Sequence, residues 1–123
     1  MKTVLVFGTF DILHKGHLSY FNQARKYGDY LIAIVARDKT VLKIKGKLPR
    51  DNELKRLKKV QKEVDKAVLG FIYDKYKVIK KFKPDVICLG YDQIVDLEKL
   101  KKFKIHIKRL KACEPHKYKS SKL

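Results

Sequence analysis

The sequence predicts an α/β domain on an open, mostly parallel sheet of five strands with helices on both faces. Three observations carry that expectation. Short apolar runs alternate with amphipathic stretches along the chain, the pattern of βαβ units. The first run, Thr3–Phe7, is almost continuously apolar, as a strand covered on both faces must be. The last run alternates Ile105 and Ile107 with Lys104, His106 and Lys108, which suits an edge strand with one wet face.

Each element has its own signal. Gly8-Thr9-Phe10-Asp11 ends the first strand, and Gly8 allows a sharp exit. Leu18, Phe21 and Ala24 recur at helical spacing, and Gly28 is a stop for that helix. Tyr30–Ala36 is the second strand. Lys39–Arg50, with Gly46 and Pro49, reads as a basic loop. Leu54, Leu57, Val60 and Val64 mark a second helix, and Ala67–Phe71 a short third strand. Asp74 can cap a third helix that carries Tyr76, Ile79 and Phe82 and stops before Pro84. Asp85–Leu89 is a fourth strand, followed by Gly90-Tyr91-Asp92-Gln93 and a short helix near Asp96–Lys101. The residues from 111 to 123 are polar and lack a period, so the chain reads as one domain, 1–123, with a polar tail.

Length and composition narrow the function classes. A chain of 123 residues is one domain and buries roughly two-thirds of its unfolded surface. At 45% hydrophobic residues it is not a disordered chain. No stretch approaches the roughly 18 uncharged apolar residues of a membrane span, and the N-terminal run is too short for a signal peptide. Two cysteines exclude a disulfide-stapled fold and suit a reducing cytoplasm. Cys88 lies within an apolar strand and reads as core, while Cys113 and His116 are at most half a metal site. Lys and Arg total 31 against 13 acids, a net charge of +18. That excess suits nucleic acid, small polyanions or a lysine-rich solvated surface.

The chemistry concentrates after the first strand, in Gly8-Thr9-Phe10-Asp11-Ile12-Leu13-His14-Lys15-Gly16-His17. In open α/β sheets ligands bind beyond the carboxyl ends of the strands, where the strand order reverses. Two histidines three apart flank a glycine at the mouth of a helix, where free N–H groups and the helix dipole attract phosphate. Imidazoles there can donate to phosphoryl oxygens, and Gly16 leaves room for a nucleotide to approach the backbone. The same pair also suits helix capping or a stray metal.

This decapeptide resembles the G-T-F-D-x-x-H-x-G-H signature of the cytidylyltransferase-like nucleotidyltransferases. The resemblance covers essentially the whole chain. Val35-Ala36-Arg37-Asp38-Lys39-Thr40-Val41 with Lys45-Gly46, Val64-Asp65-Lys66-Ala67-Val68-Leu69-Gly70, and Lys83-Pro84-Asp85-Val86-Ile87 with Leu89-Gly90-Tyr91-Asp92-Gln93 resemble the archaeal-type FAD synthase branch. The glycerol-3-phosphate cytidylyltransferase branch usually has R-Y-V-D where Lys62-Glu63-Val64-Asp65 stands, and G-D-D-W in place of Tyr91-Asp92-Gln93. Both branches normally continue into a further helix where this chain reaches Leu123.

The resemblance implies a Rossmann-like fold and transfer of AMP from ATP to the phosphate of FMN, with release of pyrophosphate. CTP with glycerol 3-phosphate or another phosphorylated alcohol is the alternative, and a basic nucleic-acid-binding module without catalysis is the rival of another class. As the family implies, His14 and His17 contact the triphosphate and steady charge on the α-phosphoryl group. Gly8, Thr9, Phe10, Lys15 and Gly16 line the same phosphate loop. Asp92 stands where sugar or base contacts are expected, and Ser120 and Ser121 can offer hydroxyls to phosphate. Asp11, Lys43, Lys45 and Lys47 are candidates for the acceptor phosphate or the leaving pyrophosphate. A divalent cation, Mg²⁺ foremost, is expected to bridge the phosphates without a metal cage in the protein. The family further implies a cytoplasmic protein and a homodimer.

Overall fold

Side chains alternate faces along a strand, so an apolar run in which every position is apolar builds two cores at once. That is what β1 (Thr3–Gly8) does in the computed structural model, which describes residues 1–71, 77–90, 98, 101–103 and 105–111. Val4 and Val6 enter one core cluster, while Leu5 enters the other with Phe7 packed against it. The other elements are α1 (Lys15–Arg25), β2 (Tyr30–Val35), α2 (Asp38–Lys45), α3 (Glu53–Gln61), β3 (Lys66–Leu69), α4 (Lys77–Phe82), β4 (Val86–Leu89) and β5 (His106–Arg109). The sheet order is β3-β2-β1-β4-β5 and every pairing is parallel.

Helices cover both faces. Phe21 and Ala24 of α1, Val60 of α3 and Val64 pack with Val4, Val6, Leu31, Ala33, Val35, Val86 and Cys88. Val78 and Ile79 of α4 pack on Leu5, Ile32, Ile34, Ile87 and Leu89 of the opposite face. Burying a side chain such as Phe21 stabilises by roughly 1.5–3 kcal/mol. Strand β5 is the edge strand of the sequence reading: Ile107 is half-buried while His106, Lys108 and Arg109 are exposed. Among the described residues no helix is long and apolar enough to cross a membrane.

Acids tie the N-terminal edge of the sheet. Asp29 accepts from the Lys2 N–H (2.9 Å), Asp65 from the Leu31 N–H (2.8 Å) and Asp85 from the Thr3 N–H (2.8 Å). Each stands just before or at the start of a strand and satisfies a backbone donor on the neighbouring strand, which water would otherwise have to fill.

The structure corrects several boundaries. The stretch read as a basic loop holds a helix, α2, closed by Gly46 in the left-handed conformation at φ 78°. Only Val41 of α2 is buried, so the apolar period is too faint to read. An eight-residue helix is marginal alone, and this one is held from outside, by Glu53 Oε1 accepting from the Asp38 N–H at 2.9 Å. Helix α1 ends at Arg25, before Gly28. Gly28 is needed for close approach, since a Cβ there would sit 2.7 Å from the Lys2 carbonyl oxygen. Strand β3 starts one residue earlier than expected and stops at Leu69, with a last rung from the Gly70 N–H to the Val35 carbonyl. Leu54, read as part of the apolar face of α3, is 67% exposed. Asp74, Tyr76, most of the helix expected near Asp96–Lys101 and the tail beyond Lys111 lie outside the described residues.

Candidate active site

The sheet order reverses between β1 and β4, so the crevice of such a fold opens beyond Gly8 and Leu89. The motif loop leaves β1 at that point. Its sharp course is made by Phe10 (φ 54°) and Ile12 (φ 50°), both in the left-handed region, and not by Gly8. Gly8 serves close approach: a Cβ there would meet the Phe10 ring at 2.5 Å. The Phe10 ring is buried, with Phe21 at 5.2 Å and His17 edge-on at 5.7 Å between centroids. Phe10 thus anchors the loop in the core and backs the His17 ring.

His14 and His17 close the mouth of α1. His14 Nδ1 accepts from the Gly16 N–H at 3.0 Å, and His17 Nδ1 accepts from the His14 N–H at 3.2 Å. This is a capping box built from two imidazoles. The capping role weighed against phosphate contact is therefore real, and it is compatible with that contact. A nitrogen that accepts carries no proton, so each neutral ring bears its proton on Nε2. The rings stack at 4.0 Å between centroids. Two Nε2–H donors thus stand together at the positive end of a helix.

His17 stays neutral at physiological pH. Burial, then the neighbouring His14, push its pKa from 6.5 down to about 4; the Asp11 carboxylate opposes this and Lys45 adds to it. Lys45, at the last position of α2, is therefore close enough for its charge to act on His17. Lys43 and Lys47 are exposed beside it in sequence, and Lys15 is exposed at the first position of α1. Both oxygens of Asp11 are engaged, accepting from the Arg50 N–H (2.8 Å) and the Asp51 N–H (2.9 Å). Asp11 thereby fastens the motif loop to the segment that leads into α3. Asp92, Ser120 and Ser121 lie outside the described residues.

Sequence reasoning missed the residue that holds this end of the molecule together. Arg56 of α3 has no exposed surface. It donates to the Thr9 carbonyl (2.8 Å), the Ala36 carbonyl (2.7 Å), the Asp51 carbonyl (3.0 Å) and Asp38 Oδ1 (2.8 Å). The signal was present: Arg56 lies four residues before buried Val60, on the same face of α3. Tyr20 was also missed. Its hydroxyl donates to the Cys88 carbonyl at 2.8 Å, bridging α1 to β4 at the reversal point.

Among the described residues no three His, Cys, Asp or Glu side chains converge to hold a metal. A cleft of about 520 Å³ lies at the opposite end of the sheet, lined by Lys2, Lys80, Lys83, Asp85, Phe103 and His106 among others. None of the motif residues lines it. The strand ends and the histidine pair mark the candidate site, because convergent donors, not empty volume, suit phosphate.

Known proteins resemble this chain along most of its length. Residues 5–121 match the cytidylyltransferase-like family. An FAD synthase of Ferroglobus placidus is 42% identical over 120 residues, covering 93% of this chain and 79% of that protein. An FAD synthase of Thermoplasma acidophilum is 45% identical over 104 residues, covering 83% and 72%. A crystal structure described as a lipopolysaccharide core biosynthesis protein from Thermoplasma volcanium superposes with a TM-score of 0.86 at 39% identity, covering 93% of this chain and 99% of that one. From its motif loop, its sheet order and these matches, the chain is a nucleotidyltransferase that belongs to the cytidylyltransferase-like family.

Proposed function

We propose that this chain transfers AMP from ATP to the phosphate of FMN, giving FAD and pyrophosphate. The observation that carries the chemistry is the pair of Nε2–H donors at the mouth of α1, with Lys45 close enough to act on His17. The observation that favours ATP and FMN is the run of FAD synthases at 41–45% identity.

An oxygen of the FMN phosphate attacks the α-phosphorus of ATP. The bond from that phosphorus to the bridging oxygen breaks, and pyrophosphate departs with the electron pair. The nucleophile is already an anion, so no base need remove a proton and no covalent enzyme intermediate forms. Catalysis then consists of positioning and of stabilising charge on the transferring group. His14 and His17 donate Nε2–H bonds to phosphoryl oxygens, and His17, neutral at physiological pH, gives no proton away. Lys45, with Lys43 and Lys47, draws the phosphates in. A divalent cation such as Mg²⁺, held by the triphosphate itself, would supply charge neutralisation, since no three metal-ligating side chains converge among the described residues. Asp11, whose oxygens hold backbone N–H groups, is not needed to bind it. A cytoplasmic location and a homodimer complete the reading.

The test is pyrophosphate release with Mg²⁺, with ATP or CTP paired with FMN or glycerol 3-phosphate. FAD formed from ATP plus FMN supports the proposal. Release only with CTP and a phosphorylated alcohol overturns the choice of substrates. Light scattering on the eluting protein checks the dimer.

A further inference from the structure

We infer that Ile44 and Leu48, with Ile12 across from them, form the seat for the flavin ring of the acceptor; this rests on the reading that FMN is the acceptor. The first observation is a helix face that starts in the core and runs out of it. Val41 of α2 is 3% exposed, and Ile44, one turn on along the same face, is 73% exposed. Leu48, just past the helix, is 61% exposed. The second observation ties the loop that carries Ile12 to the chain just after Leu48. Asp11 grips the Arg50 and Asp51 N–H groups, which draws the loop carrying Ile12 against the segment that follows Leu48.

Ile12 is itself unusual. It is a β-branched residue at φ 50° and is 43% exposed. A branched side chain in the left-handed region carries backbone strain, and such strain gathers at ligand clamps. Exposed apolar side chains in one place mark a binding surface more often than chance.

Charge says what covers them. The apolar residues alternate with Lys43, Lys45 and Lys47, and the charge of Lys45 acts on His17. Exposed lysines and exposed aliphatic side chains thus share this short segment, and Lys45 is within electrostatic reach of His17. FMN has the matching form: a phosphate dianion at one end of a ribityl chain and a flat, largely apolar ring at the other. Its phosphate must stand near His14 and His17 to react, and the exposed apolar side chains near Lys45 are the seat assigned to the ring. Glycerol 3-phosphate has nothing to place there.

The test is the double variant Ile44→Ser/Leu48→Ser. Both side chains are exposed, so the fold is kept and the thermal midpoint is unchanged. FMN binding is titrated by flavin fluorescence without ATP, and FAD formation is measured alongside. The expected result is FMN affinity weakened about tenfold or more, with KM for ATP within about twofold of wild type. Ile12→Ser is expected to weaken FMN binding in the same direction. The inference is overturned if wild type makes FAD and the variants bind FMN as wild type does. A change of oligomeric mass in the variants with FMN binding intact also overturns it, in favour of a second copy on this face. If wild type neither binds FMN nor makes FAD, the acceptor reading itself fails and takes the seat with it.

Discussion

The guanidinium of Arg56 meets the Asp38 carboxylate at 2.8 Å, with no part of the arginine exposed. The same guanidinium holds three carbonyls, two of them at the ends of β1 and β2. A single buried cation thus joins the motif loop, the start of α2 and α3. Removing one partner of a buried pair leaves the other uncompensated. Arg56→Met is expected to destabilise the chain by about 3–5 kcal/mol, read by urea unfolding. Arg56→Lys keeps the charge but loses the fork that reaches several carbonyls, so it recovers only part of the loss.

The two roles of His14 are separable. Asn caps a helix as well as any residue but has no donor where Nε2–H stands. His14→Asn should keep the thermal midpoint while kcat falls by about 10²–10³-fold. His14→Ala should lose the same activity and, in addition, about 1 kcal/mol of stability. Equal activity in His14→Asn and wild type would remove this imidazole from the reaction.

His17 makes folding sensitive to acid. Its folded pKa, about 4, lies below its unfolded value of 6.5. Between those values the unfolded chain binds a proton that the folded chain does not, so stability is lost as pH falls through that window. Gln at the third helical position preserves a capping box and does not titrate. His17→Gln should therefore lose less stability than wild type between neutral pH and about 4. An NMR titration should show the His17 ring still neutral at pH values where an ordinary histidine is charged.

Gly8 and Phe10 are coupled by contact. A methyl at Gly8 would sit 2.5 Å from the ring. Gly8→Ala should cost on the order of 1–3 kcal/mol and lower kcat, because the ring it displaces backs His17. A smaller side chain makes room, so Gly8→Ala/Phe10→Leu should be more stable than the two single losses summed. Additive losses in the double-mutant cycle would refute the coupling.

Cys88 should be inert. It is fully buried, and burial pushes its thiol up to about 11. Iodoacetamide at neutral pH should leave Cys88 unmodified in the native protein and modify it in urea, as read by peptide mass.

Much of this molecule was legible before folding. The apolar runs marked all five strands, and periodicity marked α1 and α3, because a strand or helix that packs must show its buried face. The motif loop was legible for the same kind of reason: few residue types bind phosphate at a helix mouth. Helix α2 was not, since one buried residue makes no period and its N-terminus is held by Glu53, fifteen residues away. Leu54 misled because helical spacing says which residues share a face, not which face the core covers.

The sequence by itself determined the α/β class, the two-sided core of β1 and the candidate phosphate loop. These depend on local pattern, which the chain carries wherever it folds. Only the tertiary structure decided that Arg56 is buried, that Asp11 ties one loop to another, and that the histidine rings turn their Nδ1 atoms to the backbone. Those outcomes are set by distances between residues remote in sequence, and by which hydrogen bonds remain to be satisfied once the sheet has formed.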